Sequence, residues 1–140
     1  MWRTAGDVSI LDDTYNANPV SLRAALEAVG ARRGTGRLVV VLGDMLELGA
    51  ITEEAHRDAG RAAVAAGADE LVGVGSAALR AVEAARAAGL PEAHHARTFE
   101  DTVAHLLKRL VPGDTVLVKG SRGMRLERVV DALVARLARE

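Results

Sequence analysis

The sequence contains no cysteine, which excludes disulfide bonds, thiolate nucleophiles and cysteine-based zinc sites. Aromatic residues make up only 2% of the chain, although hydrophobic residues make up 49%. Leucine, valine and alanine must therefore fill most of the core. The 18 basic and 19 acidic residues give a net charge of −1. This balance provides no overall attraction to nucleic acid or to an anionic membrane surface.

Long apolar segments are also absent. No apolar run approaches the roughly 20 residues that a membrane-spanning helix needs. The amino-terminal stretch MWRTAGDV lacks the apolar segment of a signal peptide. The sequence therefore predicts no membrane insertion and favours a cytoplasmic protein. Its 140 residues suit one domain with a single core.

What the sequence does contain is an alternation of strand and helix patterns from end to end. Strand-like runs occur at 8–11, 37–42, 70–74, 93–97 and 114–118. Helical patterns follow them at 19–33, 52–66 and 76–88, after an N-cap at Thr98, and from Leu126. Five such units predict an α/β fold. We expect a Rossmann-like open, mostly parallel sheet with helices on both faces, forming a single domain over residues 1–140.

Polar or glycine-rich segments follow four of these strands. They are DDTYNANP (12–19), GDMLELGA (43–50), GVGS (73–76) and KGSRGM (119–124). In open α/β sheets, ligands bind outside the carboxyl ends of the strands. The fold should bring all four segments to one edge of the sheet, which makes that edge the predicted functional site.

DDTYNANP has a structural component and an unexplained remainder. Asn18 can cap the following helix, and Pro19 suits the first helical position because its missing N–H costs nothing there. The neighbouring carboxylates of Asp12 and Asp13 repel each other unless a cation or a hydrogen-bond donor lies close. Helix capping does not account for Asp12, Asp13, Tyr15 and Asn16.

KGSRGM places basic residues at the end of the last strand. Lys119 and Arg122 lie near the carboxyl edge and could hold a carboxylate or a phosphate, whereas Arg125 and Arg128 fit a solvated helix surface. Ser121 lies where free backbone N–H groups of a helix start favour an anion. The segment therefore predicts an anion-binding surface.

The remaining motifs give weaker signals. GVGSAA (73–78) matches a dinucleotide-binding fingerprint, but it lies in the third unit, so close packing of a helix on a strand explains it better. The apolar side chains in GDMLELGA indicate that this loop packs against something, such as another domain. The histidines show no metal-ligand spacing and no Ser–His–Asp set can be assigned, so no metal site is predicted.

Four longer segments carry a family resemblance. They are ILDDTYNANPVSLRAAL, VVVLGDMLELG, EEAHRDAG and VLVKGSRGMRLERVV. In this order and spacing they resemble the carboxyl-terminal domain of the Mur ligase family, and specifically its branch that adds D-alanyl-D-alanine to UDP-N-acetylmuramoyl-tripeptide. The resemblance covers nearly the whole chain. It implies peptidoglycan precursor synthesis by an ATP-dependent amide ligase that acts through an acyl phosphate.

The resemblance also implies roles for the segments at the sheet edge. One segment faces the nucleotide and helps to hold ATP; it contains Asp13, Tyr15, Asn16 and Asn18. A second faces the incoming amino-acid substrate; it contains Lys119, Gly120, Ser121 and Arg122. A loop expected to meet another domain on closure contains Asp44, Met45 and Glu47.

In the family, a central domain carries the ATP-binding P-loop and the magnesium ligands, and a further domain binds the UDP-sugar nucleotide. This sequence has no G-x-x-x-x-G-K-[ST] motif, and GTGR (34–37) lacks the lysine and the hydroxyl residue. We therefore expect a domain cut from a larger ligase, inactive alone, with ATP and Mg²⁺ held mainly by the central domain.

Two other interpretations remain open from the residues. A phosphoacceptor receiver domain also has five such units, and Asp12, Asp13, Thr98 and Lys119 fit its outline. However, its acceptor aspartate should end the third strand, where Gly75 and Ser76 stand. The other alternative is a free-standing nucleotide-binding module.

Overall fold

A six-stranded sheet forms the centre of the computed structural model, which describes residues 1–139. Its strands are β1 (Trp2–Ala5), β2 (Val8–Asp13), β3 (Leu38–Gly43), β4 (Glu70–Val74), β5 (Ala93–Ala96) and β6 (Thr115–Lys119). Their order across the sheet is β1-β2-β6-β3-β4-β5. All neighbours from β2 onward pair in parallel, and only β1 is antiparallel. The mostly parallel sheet predicted from the sequence is confirmed.

The antiparallel strand β1 was not predicted. It pairs with β2 through a two-residue turn in which Gly6 and Asp7 have φ angles of 56° and 59°. Such left-handed pairs form the tight turns that match the twist of a β-hairpin. The segment Trp2–Ala5 is short, and its two apolar residues stand at its ends without alternation, so its pattern gives no strand signal. The Gly6–Asp7 pair was the available clue.

Five α-helices cover the sheet. They are α1 (Pro19–Arg32), α2 (Thr52–Ala65), α3 (Ala78–Ala87), α4 (Phe99–Arg109) and α5 (Glu127–Leu137), with short 3₁₀ turns at Gly49–Ile51 and Arg122–Met124. One core lies between the sheet and α1, α2 and α3, and the other between the sheet and α4 and α5. Helices on both faces are therefore confirmed. Leucine, valine and alanine dominate both cores, as the composition predicts.

Two predicted helix starts are confirmed in detail. The Asn18 side chain accepts a hydrogen bond from the Ser21 backbone N–H, and the Ser21 hydroxyl bonds back to the Asn18 backbone, which is a capping box with Pro19 at the start of α1. The Thr98 hydroxyl accepts from the Asp101 N–H at the start of α4. These caps fix where two helices leave the sheet.

Within residues 1–139, no helix combines the length and the apolar character that crossing a membrane requires.

Two helical glycines give a matched test of packing. A Cβ on Gly60 in α2 would lie 2.2 Å from the Ala81 carbonyl oxygen in α3, whereas a Cβ on Gly30 in α1 would meet nothing within 4 Å. We expect Gly60→Ala to lower the free energy of unfolding by about 2 kcal/mol or more, because backbone must move. Gly30→Ala should raise it by up to about 1 kcal/mol through helix propensity. Urea unfolding measures the change in stability of both variants. Equal effects of the two substitutions would contradict the close packing of α2 on α3 at Gly60.

Candidate functional site

The carboxyl ends of four neighbouring strands bring the predicted segments together. Asp13 at the end of β2 is in register with Lys119 at the end of β6, and Lys119 is also in register with Leu42 of β3. Gly43 is in register with Val74 of β4, just before GVGS. The edge predicted from chain order therefore exists, with β6 at its centre.

Lys119 is the cation that the aspartate pair requires. Its side chain is 1% exposed, and its Nζ lies 2.9 Å from Asp13 Oδ2. The same ammonium donates to the backbone oxygen of Asn16 at 2.7 Å. The carboxylate that Lys119 holds thus belongs to the protein itself. Lys119 fixes the DDTYNANP loop against β6 and has no exposed surface to offer a ligand directly.

The other polar side chains of this loop mostly bond within it. Asp12 Oδ1 accepts from the hydroxyl and the backbone N–H of Thr14, at 2.7 and 3.3 Å. Asn16 Oδ1 accepts from the Ala17 N–H at 2.9 Å. Tyr15 is different, since it is 71% exposed. The loop is therefore a rigid support that presents one aromatic ring to solvent.

Arg122 meets that ring. Its guanidinium carbon lies 5.1 Å from the Tyr15 ring centroid, and its Nη1 is 3.5 Å from the Tyr15 hydroxyl. This is the geometry of a cation–π contact at an exposed site. An open depression of about 450 Å³ lies beside the pair, and its lining residues are Met1, Asp12, Asp13, Thr14, Tyr15, Arg122 and Glu127. It offers a guanidinium, an aromatic face and carboxylates to one ligand.

Gly120 and Ser121 of KGSRGM are buried and structural. A Cβ on Gly120 would lie 2.7 Å from the Leu126 side chain, which would have to shift to make room for it. Ser121 is buried, and its hydroxyl accepts from the Leu46 N–H at 2.8 Å. Among the four residues predicted to face the amino-acid substrate, Arg122 is therefore the exposed one.

Asp44 and Met45 hold the GDMLELGA loop from inside the domain. Asp44 Oδ1 accepts from the Ala78 N–H at 2.8 Å, so its carboxylate lies at the start of α3. Met45 is 1% exposed and belongs to the core beneath α1, α2 and α3. Leu46, which is 44% exposed, and Glu47, which is also exposed, face outward. Of the predicted interdomain residues Asp44, Met45 and Glu47, Glu47 is thus the exposed one, beside the exposed Leu46.

His56 also holds the GDMLELGA loop, a role that the sequence did not predict. It is fully buried, its Nε2 lies 2.9 Å from the Met45 backbone nitrogen, and its Nδ1 lies 2.6 Å from the Thr52 oxygen. Because the Met45 N–H must donate, Nε2 accepts and Nδ1 carries the proton. The available signal was a lone polar residue among the alanines that form the buried stripe of α2.

The third-unit glycines serve packing, as predicted. A Cβ on Gly73 would lie 2.6 Å from the Val82 side chain and 2.9 Å from the Ala78 oxygen. The start of α3, where a dinucleotide phosphate would lie, already holds the Asp44 carboxylate. The geometry therefore disfavours the dinucleotide interpretation.

Comparison with known proteins agrees with this architecture. The family profile described as "Mur ligase, glutamate ligase domain" matches residues 1–122. The chain belongs to the Mur ligase family. Among curated relatives, the UDP-N-acetylmuramoyl-tripeptide–D-alanyl-D-alanine ligase of Escherichia coli is 40% identical over 124 residues, covering 89% of this chain and 26% of the relative. The ligase of the same name from Bacillus subtilis is 33% identical over 133 residues, covering 94% and 29%.

A solved structure shows the same fold within a larger enzyme. The MurF ligase from Thermotoga maritima, determined in complex with ADP, superimposes with a TM-score of 0.82 at 28% sequence identity. The match covers 99% of this Mur ligase domain and 30% of the Thermotoga chain. The domain thus spans less than a third of the length of these relatives.

The Lys119–Asp13 pair yields an asymmetric prediction. Asp13→Ala leaves a buried ammonium with only the Asn16 oxygen, so we expect a loss of about 3 kcal/mol in the free energy of unfolding. Lys119→Met leaves the carboxylate of Asp13 without its partner, but the Asp13 side chain is 38% exposed and can be hydrated. The loss in the free energy of unfolding should therefore be smaller, at about 1 kcal/mol.

Urea unfolding of both variants measures the difference. Asp58→Ala is the control, because its partner Arg61 is also at the surface and the change should stay within about 0.5 kcal/mol. A larger loss for Lys119→Met than for Asp13→Ala would contradict the role of Lys119 as the buried member of the pair.

Proposed function

We propose that this chain is the carboxyl-terminal domain of an ATP-dependent amide ligase in peptidoglycan precursor synthesis. The substrates are UDP-N-acetylmuramoyl-tripeptide and D-alanyl-D-alanine. The tripeptide carboxylate takes the terminal phosphoryl group of ATP, giving ADP and an acyl phosphate. The D-alanyl-D-alanine amine then attacks the acyl carbon, phosphate leaves and an amide bond forms. Two curated relatives carry the name of this reaction.

The contact between Tyr15 and Arg122 is the observation that carries the proposal. It joins the segment assigned to the nucleotide with the segment assigned to the amino-acid substrate, at one open depression. A ligase of this type must hold an activated carboxylate and an amine nucleophile side by side. The adjacency of the two segments supports their assignment to that task.

The residues fit one side of a nucleotide site. Tyr15 presents an exposed aromatic face for a base or a sugar, and the Asp13 carboxylate lies beside it on the rigid loop. Asn16 and Asn18 act within that loop, Asn16 as a backbone anchor and Asn18 as the cap of α1. The charged phosphates need more than this, because the sequence has no P-loop. A central domain would supply the phosphate cradle and the Mg²⁺ ligands, which neutralise the charge of phosphoryl transfer.

Arg122 is our candidate for the D-alanyl-D-alanine carboxylate. Its guanidinium is held over Tyr15 and is otherwise open to the depression. Arginine recognises carboxylates through two parallel N–H bonds, which fix orientation as well as charge. Lys119 and Ser121 anchor the segment that carries Arg122 through bonds to Asp13 and to the Leu46 N–H, and Gly120 packs against Leu126.

The outward part of the GDMLELGA loop fits a domain contact. Leu46 in this loop and Ile51 directly after it are 44% and 57% exposed, which is high for large apolar side chains. Asp44, Met45 and His56 hold the loop from inside. Closure of this domain onto the rest of a ligase would cover the loop and exclude water, which would otherwise hydrolyse the acyl phosphate.

The two alternatives receive less support. A receiver domain places its first strand between the second and third parallel strands, whereas here β6, the last strand, lies between β2 and β3. β4 is followed by Gly75 and Ser76, so the strand end that should carry the acceptor aspartate does not. A free-standing nucleotide-binding module has to bind nucleotide without a phosphate cradle, which the next experiment tests.

The chain alone should bind ATP very weakly and show no ligase activity. One aromatic face and a few polar groups cannot replace a phosphate cradle and Mg²⁺. Calorimetry with ATP and Mg²⁺ measures the affinity, with NAD as a second ligand. Micromolar affinity for ATP by residues 1–140 would favour the free-standing module instead.

In the full-length ligase, Arg122→Ala should raise the KM for D-alanyl-D-alanine by about ten-fold or more, because a charge-assisted pair is lost. The KM for ATP should change by less than about three-fold, since Arg122 does not hold the phosphates. Steady-state kinetics with each substrate varied in turn measures both values. Arg23→Ala, on the exposed surface of α1, is the control. A larger effect on ATP would assign Arg122 to the nucleotide.

A further inference from the structure

A second polar cluster lies away from the candidate site, between the sheet and α4. It combines Glu70 from the start of β4, His94 from β5 and His105 from α4. Each residue has a metal-ligating atom within 4.8 Å of those of the other two. The three residues are 24 and 11 positions apart along the chain, so no local spacing reveals the group in the sequence.

The carboxylate of Glu70 is oriented before any ligand arrives. Its side chain is 1% exposed, and its Oε1 accepts from Arg109 Nε at 2.6 Å. The other oxygen, Oε2, faces His105 Nε2 at 2.8 Å. Arg109 can therefore hold one oxygen while the other coordinates a cation, as hydrogen-bonded carboxylate ligands commonly do.

The two imidazoles lie side by side. Their ring centroids are 4.7 Å apart with an interplanar angle of 51°. His94 Nε2 bonds to Glu92 Oε2 at 3.0 Å, and Arg109 bonds to the same oxygen at 2.7 Å. A second carboxylate thus borders the cluster.

The charge around the cluster does not exclude a cation. Arg109 faces Glu70 and Glu92, and Arg37 lies 3.8 Å from Glu70 but closer, at 2.8 Å, to Asp114. These three carboxylates and two guanidinium groups sum to −1. The histidines, when neutral, add nothing to that charge. A bound divalent ion therefore enters a slightly negative environment.

We propose that Glu70, His94 and His105 form a binding site for Zn²⁺. Two imidazoles and one carboxylate are typical zinc ligands when a fourth position stays open to water. Two tetrahedral ligands at about 2.0 Å from zinc lie roughly 3.3 Å apart. Zinc would replace the proton of the His105–Glu70 hydrogen bond, which opens from 2.8 Å by about half an ångström. The ligand atom of His94, which lies within 4.8 Å of the other two, would move toward them.

The site is accessible from solvent. The His94 and His105 side chains are 35% and 26% exposed. Both line an open depression of about 360 Å³, together with Asp101 at the start of α4. A bound ion would cross-link α4 to β4 and β5. It would not depend on the nucleotide, because Glu70 is at the amino end of β4 and the candidate ligase site is at the carboxyl ends of the strands.

The experiment uses the 140-residue chain without an affinity tag. Thermal unfolding with and without ZnCl₂, followed by EDTA, measures stabilisation, and calorimetry measures the Kd. Co²⁺ replaces Zn²⁺ for absorption spectroscopy, since its visible d–d bands report coordination by the protein. His94→Gln and His105→Gln remove each imidazole but keep a donor for Glu92 or Glu70. His95→Gln is the matched control, because His95 lies next to His94 but bonds to the Gly75 oxygen.

We expect an EDTA-reversible rise in Tm with Zn²⁺ and Co²⁺ bands of a protein-bound ion. His94→Gln and His105→Gln should each weaken zinc binding by about ten-fold or more, whereas His95→Gln should keep the wild-type affinity. The proposal would be overturned if zinc did not stabilise the wild-type chain. It would also be overturned if the His94→Gln or the His105→Gln variant kept full affinity for zinc. The Co²⁺ spectrum keeps the test decisive if a variant unfolds, because absence of d–d bands in the wild-type chain also overturns it.

Discussion

Lys119 carries a charge inside the domain, and the arrangement of the candidate ligase site depends on how that charge is balanced. Its ammonium is 1% exposed and bonds to Asp13 and to the Asn16 backbone. A buried ammonium without partners would cost several kcal/mol, so the loop after β2 must stay close to β6. That restraint sets the position of Tyr15 at the surface. The Tyr15–Arg122 contact follows from it.

Much of the fold could be predicted because its signals are local. The continuous apolar run at β3 indicates a strand buried on both faces, and Asn18 and Thr98 mark helix starts through their own side chains. The hairpin strand β1 was missed because its residues have no apolar alternation. Its stability comes from pairing with β2, which no local pattern of Trp2–Ala5 reveals.

The candidate site was predictable only in part. The strand ends predicted which segments meet at one edge of the sheet, but the sequence did not show which side chains point outward. Lys119 and Arg122 look equivalent as basic residues of one motif, yet one is buried against Asp13 and the other is open to solvent. The Glu70–His94–His105 cluster could not be predicted from the sequence either, because strand register and helix packing bring its members together. Burial and long-range contact are properties of the folded chain.

The position of β6 has a consequence for the order of events during synthesis. β6 lies between β2 and β3, so these strands have no hydrogen-bonded connection until residues 115–119 are available. During synthesis the amino-terminal residues leave the ribosome first, and domains generally fold as units. The partly made chain therefore exposes two strand edges, which are prone to pair with other molecules. The surface around Tyr15 and Arg122 cannot form before β6 is made, since both sides of it need β6.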